Sequence, residues 1–349
     1  MKHHVTIEGV FHLERGGTLQ DVEVEIRTWG KHRPNATLIC HALTGNADAD
    51  DWWGGLFGPG RVFDPATSFI VSMNVLGGLS GTTGPTSIAA GASNAYRGKF
   101  PRITIRDMVA IQHLALNELG VGHLDLIVGG SMGGMQALEW AALYPEIVGT
   151  IVPIAVGASQ SAWAIAISDT QRHAITSDSG FNDGLYDDPG PSAGLTTARM
   201  IAMCSYRSAH SFSTRFGRGA NGEMFDVQSY LRYQGDKLVE RFDANTYLTL
   251  IDAMDSHDLG RGRGPSEAIA RRITTRAYVI GISSDILYPV AEVQALAAIL
   301  PNARYAVLDS PNGHDAFLIE TDQLNTMITQ FLSDNRAKPL IDGCGSSWA

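Results

Sequence analysis

The stretch from Leu124 to Trp140 constrains the fold more than any other part of the chain. Leu124-Asp125-Leu126-Ile127-Val128 is a short apolar run that reads as a fully buried strand, and Met135-Gln136-Ala137-Leu138-Glu139-Trp140 reads as helix. Between them lies Gly129-Gly130-Ser131-Met132-Gly133-Gly134, a Gly-x-Ser-x-Gly string. A strand that turns this sharply into a helix forces the serine into a strained conformation, and only glycine at the flanking positions lets strand and helix approach. Ser131 is therefore expected to stand at the tip of the turn as a nucleophile. The helix starting at Met132 would aim its free N–H groups and positive dipole end at negative charge developing on a substrate oxygen. The bare string also occurs as a tight packing turn; the strand before it and the helix after it favour the nucleophile.

Around this turn, the first thirty residues predict a hairpin, with Val5–Phe11 and Val22–Ile26 alternating apolar and polar residues on either side of Gly16-Gly17. Further buried strands are expected at Thr37–Cys40, Phe69–Met73, Thr150–Ile154, Ala277–Ile280 and Tyr305–Leu308, interleaved with helical segments. That rhythm is the signature of a mostly parallel sheet with helices on both faces. Thr104 and Asp107 form a capping-box pair that opens a helix through Met108, Ile111, Leu114 and Leu119 to a stop at Gly120. From Ala158 to Pro265 the pattern turns helical without clear strands, broken by the turn-rich stretch 178–194. The strand–helix rhythm then resumes, ending in a helical stretch from Ala316 to Leu332. One core domain (1–157 and 266–335) interrupted by a helical lid (158–265) fits this order, with a loosely held tail at 336–349.

A serine hydroxyl is a poor nucleophile and needs a base, which in turn needs a carboxylate to orient it. Downstream of Ser131, Asp285 follows the Ala277–Ile280 strand in Gly281-Ile282-Ser283-Ser284-Asp285, and His314 follows the Tyr305–Leu308 strand in Asn312-Gly313-His314-Asp315. Taken singly, each could be an ordinary surface-turn aspartate or solvated histidine. Their appearance in the order Ser, Asp, His, each after a late strand, is what an α/β-hydrolase fold requires.

Composition narrows the partners. A net charge of −10 over 349 residues argues against a nucleic-acid surface. Apolar runs such as Ile147–Val156 are broken by Gly or Pro well short of a membrane helix, and no signal segment opens the chain. Three scattered cysteines, Cys40, Cys204 and Cys344, make neither a disulfide framework nor a metal cage. A cytoplasmic enzyme without membrane, nucleic-acid or metal partners is expected.

Longer strings give the sequence a family resemblance. His41-Ala42-Leu43-Thr44-Gly45, Asp51-Trp52-Trp53, Asn74-Val75-Leu76-Gly77-Gly78, Gly129–Trp140, Tyr206-Arg207-Ser208, Tyr233–Lys237, Arg241–Asn245 and Gly313-His314-Asp315 together resemble the homoserine O-acyltransferases of the α/β-hydrolase superfamily, with their serine O-acyltransferase and deacetylcephalosporin C acetyltransferase relatives. The resemblance implies that Leu43 and Met132 supply the two N–H groups of an oxyanion hole. It also implies that Arg207 and Asp315 hold an amino acid: a guanidinium suits the α-carboxylate and a carboxylate the α-ammonium. It further implies a homodimer built through the lid, no permanently bound cofactor, and acetyl-CoA as cosubstrate for transfer to L-homoserine on the route to methionine. The chain departs from the family pattern at Leu79-Ser80-Gly81-Thr82-Thr83, and the connection 87–99 is short. L-serine as acceptor, succinyl-CoA as donor, and esterase or thioesterase chemistry remain open alternatives, because a pocket separates serine from homoserine by only about 1–3 kcal/mol per methylene.

Overall fold

The computed structural model describes residues 1–334; the expected tail at 336–349, with Cys344, lies outside them. Strands β1 (Lys2–His12) and β2 (Thr18–Trp29) form the predicted antiparallel hairpin, pairing Val5 with Val24 and Ile7 with Val22. Along β2 the residues Val22, Val24 and Ile26 are buried while their neighbours are not, so one face of this edge meets the core and the other meets water. The chain continues as β3 (Asn35–Cys40), β4 (Ile70–Met73), β5 (His123–Gly130), β6 (Thr150–Ile154), β7 (Arg276–Ile282) and β8 (Ala303–Leu308). In space the eight strands run β1-β2-β4-β3-β5-β6-β7-β8. From β4 to β8 every pairing is parallel, and β2 joins β4 antiparallel.

The parallel strands are apolar on both sides because both faces are covered. Ile127, Ile151, Ala277 and Val279 belong to one buried cluster, while their neighbours Leu126, Val128, Val152, Tyr278 and Ile280 belong to the other. The first cluster is covered by α1 (Ile105–Glu118) and α2 (Met132–Leu143). Helix α1 has the predicted capping box: the Asp107 amide donates to Thr104 Oγ1 at 3.2 Å and the Thr104 amide to Asp107 Oδ2 at 2.8 Å.

The segment after β6 is helical as expected, with α3 (Ala162–Thr176), α4 (Ser192–Tyr206), α5 (Ala209–Phe216), α6 (Asp226–Val239) and α7 (Ala244–Asp255). One correction applies: Ala220–Asn221 and Met224–Phe225 pair as a small hairpin, with two residues per strand too few to show alternation in the sequence. These helices lie over the loops at the C-terminal ends of the parallel strands. Trp163 Nε1 donates to the Ile286 carbonyl after β7 at 2.7 Å, and Arg241 Nη1 to the Thr44 carbonyl after β3 at 2.9 Å.

The chain then returns through α8 (Val290–Ile299) on the first face, and α9 (Thr321–Ser333) closes the second. The expected continuous helical stretch from Ala316 to Leu332 is in fact two helices, Ala316–Ile319 and α9, which part at Glu320. Glu320 leaves helical geometry there while its carboxylate accepts from Ser310 Oγ and Asn312 Nδ2. On α9, Leu324, Ile328 and Phe331 recur on one face and are buried, each contributing roughly 1.5–3 kcal/mol. No helix among the described residues is long and apolar enough to cross a membrane.

Candidate active site

Ser131 sits at the junction of β5 and α2 with φ 56° and ψ −122°, a conformation that strains any side chain with a Cβ. The local packing imposes it. A Cβ on Gly129 would overlap Gly133, and one on Gly133 would overlap the Cys40 carbonyl at the end of β3. The glycines on either side of the serine are thus steric requirements, and the Ser131 amide closes the turn by donating to the Ile154 carbonyl at 2.9 Å.

Asp285 and His314 lie in the loops that follow β7 and β8, the last two strands of the sheet. Asp285 Oδ1 accepts the Leu287 and Tyr288 amides at 2.8 and 3.0 Å, which fixes the carboxylate and leaves Oδ2 free to accept from His314 Nδ1 at 2.7 Å. Both side chains are buried. With Nδ1 donating, the lone pair of neutral His314 lies on Nε2. Burial, the largest influence, disfavours the imidazolium, but the charge and hydrogen bond of Asp285 and the charge of Asp315 outweigh it, so the His314 pKa rises above its ordinary value.

The structure brings the expected Asp285 and His314 into contact. The Ser131 hydroxyl has no hydrogen-bond partner among the described residues, and the two sides of the site are joined instead through Phe317. Its ring fills the space beside Gly130 and stands edge-on to the His314 ring at 5.6 Å. Tyr206 and Tyr288 flank the imidazole at 5.7 and 5.3 Å, completing an aromatic box that sequence reasoning missed. Also missed were Ser283 and Ser284, directly before the acid. Ser284 Oγ donates to the Ser310 carbonyl at 2.6 Å and accepts the Gly313 amide at 2.8 Å, stitching the acid loop to the base loop. Small hydroxyls next to a candidate acid were the available signal.

Leu43 lies in a turn after β3, closed by the Gly45 amide donating to the Ala42 carbonyl at 2.9 Å. Met132 is the first residue of α2, so its amide has no intrahelical acceptor. Neither amide has a partner among the described residues. A cleft of about 540 Å³ is lined by Leu79, Arg97 and Arg241 among others, and Arg241 is the lining residue that also donates to the Thr44 carbonyl of this turn.

Arg207 and Asp315 meet each other, with Nε and Oδ2 3.5 Å apart. Arg207 ends α4 in an extended conformation, and Asp315 occupies the N-cap position of the Ala316–Ile319 helix without its side chain capping it. Burial raises the Asp315 pKa against the opposing charges of His314, Arg207 and Arg199. Gly313, at φ +72°, lets this loop press against the Tyr206 carbonyl and Ser208 amide, which sets the pair beside His314. Among the described residues no group of three or more His, Cys, Asp or Glu side chains is placed to hold a metal.

The α/β-hydrolase fold family matches residues 35–321. The homoserine O-acetyltransferase of Chlorobaculum tepidum is 51% identical over 324 residues, covering 91% of this chain and 91% of its own. The crystal structure of homoserine O-acetyltransferase from Bacillus anthracis superposes with a TM-score of 0.90 at 22% identity, over 97% of this chain and 98% of that one. The structure of esterase E22 does so with a TM-score of 0.87 at 25% identity, over 95% and 100%. By this similarity over nine-tenths of its length, the chain belongs to the homoserine O-acetyltransferase family on the α/β-hydrolase fold.

Proposed function

We propose that the protein moves an acetyl group from acetyl-CoA to the side-chain hydroxyl of L-homoserine through an acyl-Ser131 enzyme. The observation that carries the reading is the buried His314–Asp285 pair on the loops after adjacent parallel strands, at the same end of the sheet as a serine held at φ 56°, with Phe317 packed against both Gly130 and His314. Ser131 Oγ attacks the thioester carbonyl as its proton passes to His314 Nε2, and Asp285 stabilises the imidazolium. The oxyanion is received by the Leu43 and Met132 amides. Collapse breaks the C–S bond and His314 returns the proton to the departing thiolate. The acceptor hydroxyl then gives its proton to His314, attacks the acyl-serine, and leaves as the ester while Ser131 recovers its proton. The hydrogen bond from Ser131 to His314 is the one contact this sequence of steps adds, and such bonds tighten when substrate binds.

Arg207 would take the α-carboxylate and Asp315 the α-ammonium, replacing a 3.5 Å contact that engages only one guanidinium nitrogen. The donor's arm would enter by the cleft lined by Leu79, Arg97 and Arg241, whose guanidinium reaches the Thr44 carbonyl next to Leu43. The segment 158–265 acts as a lid, and water kept out beneath it favours transfer over hydrolysis. Its exposed Trp163, Phe225 and Tyr233 support a homodimer formed through it, and the free thiols of Cys40 and Cys204 suit the cytoplasm.

Thiol release from acetyl-CoA or succinyl-CoA, with L-homoserine, L-serine or no acceptor, ranks every alternative in one assay. The expected result is rapid release with acetyl-CoA and homoserine. Release equally fast without any acceptor would make the protein a thioesterase.

A further inference from the structure

Between α1 and α2 runs a chain of buried amides that the steps above do not use. Trp140 Nε1 donates to Gln112 Oε1 at 2.9 Å, Gln112 Nε2 donates to Gln136 Oε1 at 2.8 Å, and Gln136 Nε2 donates to the carbonyls of His41 and Met132 at 3.3 and 3.2 Å. Trp140, Gln112 and Gln136 are all buried. An indole N–H can only donate and a peptide carbonyl can only accept, so the two ends fix the orientation of both glutamines between them. A core that needed only filling would use apolar side chains here, since buried amides bring no net stability unless every bond is made.

The two carbonyls at the end of the chain belong to the loop that carries Leu43 and to the first residue of the nucleophile helix. The same loop is pinned from its other side by the His41 ring, whose Nδ1–H donates to the Ala42 carbonyl at 2.8 Å and whose Nε2 accepts the Val75 amide at 3.2 Å. Burial pushes the His41 pKa down to about 4, so this anchor stays neutral across the working pH range.

We propose that Gln136 is a positioning residue: by holding the His41 and Met132 carbonyls together it sets the spacing between the Leu43 and Met132 amides, and with it the fit of the oxyanion. The proposal rests on the reading of those two amides as the oxyanion hole.

The test is the pre-steady-state acylation of the full chain by p-nitrophenyl acetate, with Ser131 acylation followed by mass spectrometry and phenylboronic acid as the tetrahedral analogue. In Gln136→Met the acylation rate constant should fall roughly 10- to 100-fold, short of or equal to the loss of a whole oxyanion donor, with the ester's KM within about threefold. Boronate affinity should fall in parallel, and the acid limb of the pH profile, which belongs to His314, should stay in place. Gln112→Met, which leaves Gln136 present but unfixed, should show a smaller loss of the same kind. Acylation within twofold of wild type in Gln136→Met, or a loss confined to KM, overturns the proposal. If Gln136→Met fails to fold, Gln112→Met decides by the same criteria. A wild-type protein that takes no acetyl group on Ser131 sinks the oxyanion reading and this proposal together, and mass spectrometry separates that failure from the other.

Discussion

Ser131 holds its strained φ because three backbone segments close around it, and none of them touches its hydroxyl. Ser131→Ala keeps the Cβ and therefore the strain, so the protein should melt within a few degrees of wild type while acyl transfer falls at least about 10³-fold; thermal denaturation beside the thiol assay checks both halves. The base gives a pH signature. As the proposed base His314 works only when neutral, and its pKa is raised in the folded protein, so kcat/KM should decline as pH falls through a value above the ordinary histidine pKa of about 6.5. Asp285→Asn removes the charge that stabilises imidazolium, so the acid limb should move to lower pH while the rate drops about 10⁴-fold. A limb that moves the other way would assign the titration to a different group. In the proposed cycle Arg207 acts in the second half-reaction only. Arg207→Ala should raise the KM for homoserine roughly 10- to 100-fold, the worth of a charge-assisted hydrogen bond, and leave the burst of CoA release in the absence of acceptor unchanged.

At the scale of elements, what the sequence disclosed followed from how local each signal was. The capping box of α1 is written in Thr104 and Asp107 three residues apart, and the helix starts where they place it. The buried strands appeared as apolar runs because both faces of the sheet are covered. The break at Glu320 was invisible: it depends on Ser310 and Asn312, which reach that carboxylate only after the base loop has folded back. For the same reason the aromatic box around His314 drew on Tyr206, Tyr288 and Phe317 from three separate elements. Thr104 tests the local end of this range. Its hydroxyl accepts the Asp107 amide and has its one proton within reach of the Glu14 and Asp107 carboxylates, so Thr104→Ala should lower stability by about 1–2 kcal/mol in urea titration, with activity in the folded fraction preserved.

Across the whole molecule, the order of Ser131, Asp285 and His314 after their strands was legible along the chain, but not the placement of β4 between β2 and β3, nor the way the helical segment is fastened to the core. That fastening runs through Arg106, a residue the capping-box string contains without revealing its task. Its Nε donates to Glu139 Oε1 at 3.1 Å on the nucleophile helix, and its Nη2 to the Asp258 carbonyl at 2.8 Å. Nη1 donates to Glu14 at 2.5 Å and to the Arg261 carbonyl at 2.7 Å. One buried guanidinium thus ties the N-terminal hairpin, the helix that carries Ser131 and the strap by which the helical segment returns to the core. Removing it leaves Glu139, fully buried, with Arg263 as its remaining partner at 2.9 Å and takes the side-chain donor from the Arg261 carbonyl, while the Asp258 carbonyl keeps only the Arg261 amide. Arg106→Leu should therefore destabilise the protein by about 3–5 kcal/mol, the range for breaking a buried ion pair from one side. Arg106→Lys should recover little of that, because an ammonium cannot present the fork of donors that serves five acceptors in fixed directions. Hydrogen exchange gives the spatial readout: in Arg106→Lys, amides from Gly260 to Gly264 should lose protection before those of β5 and β6. Equal loss across strap and sheet would mean that the guanidinium supports the fold generally and does not fasten the helical segment.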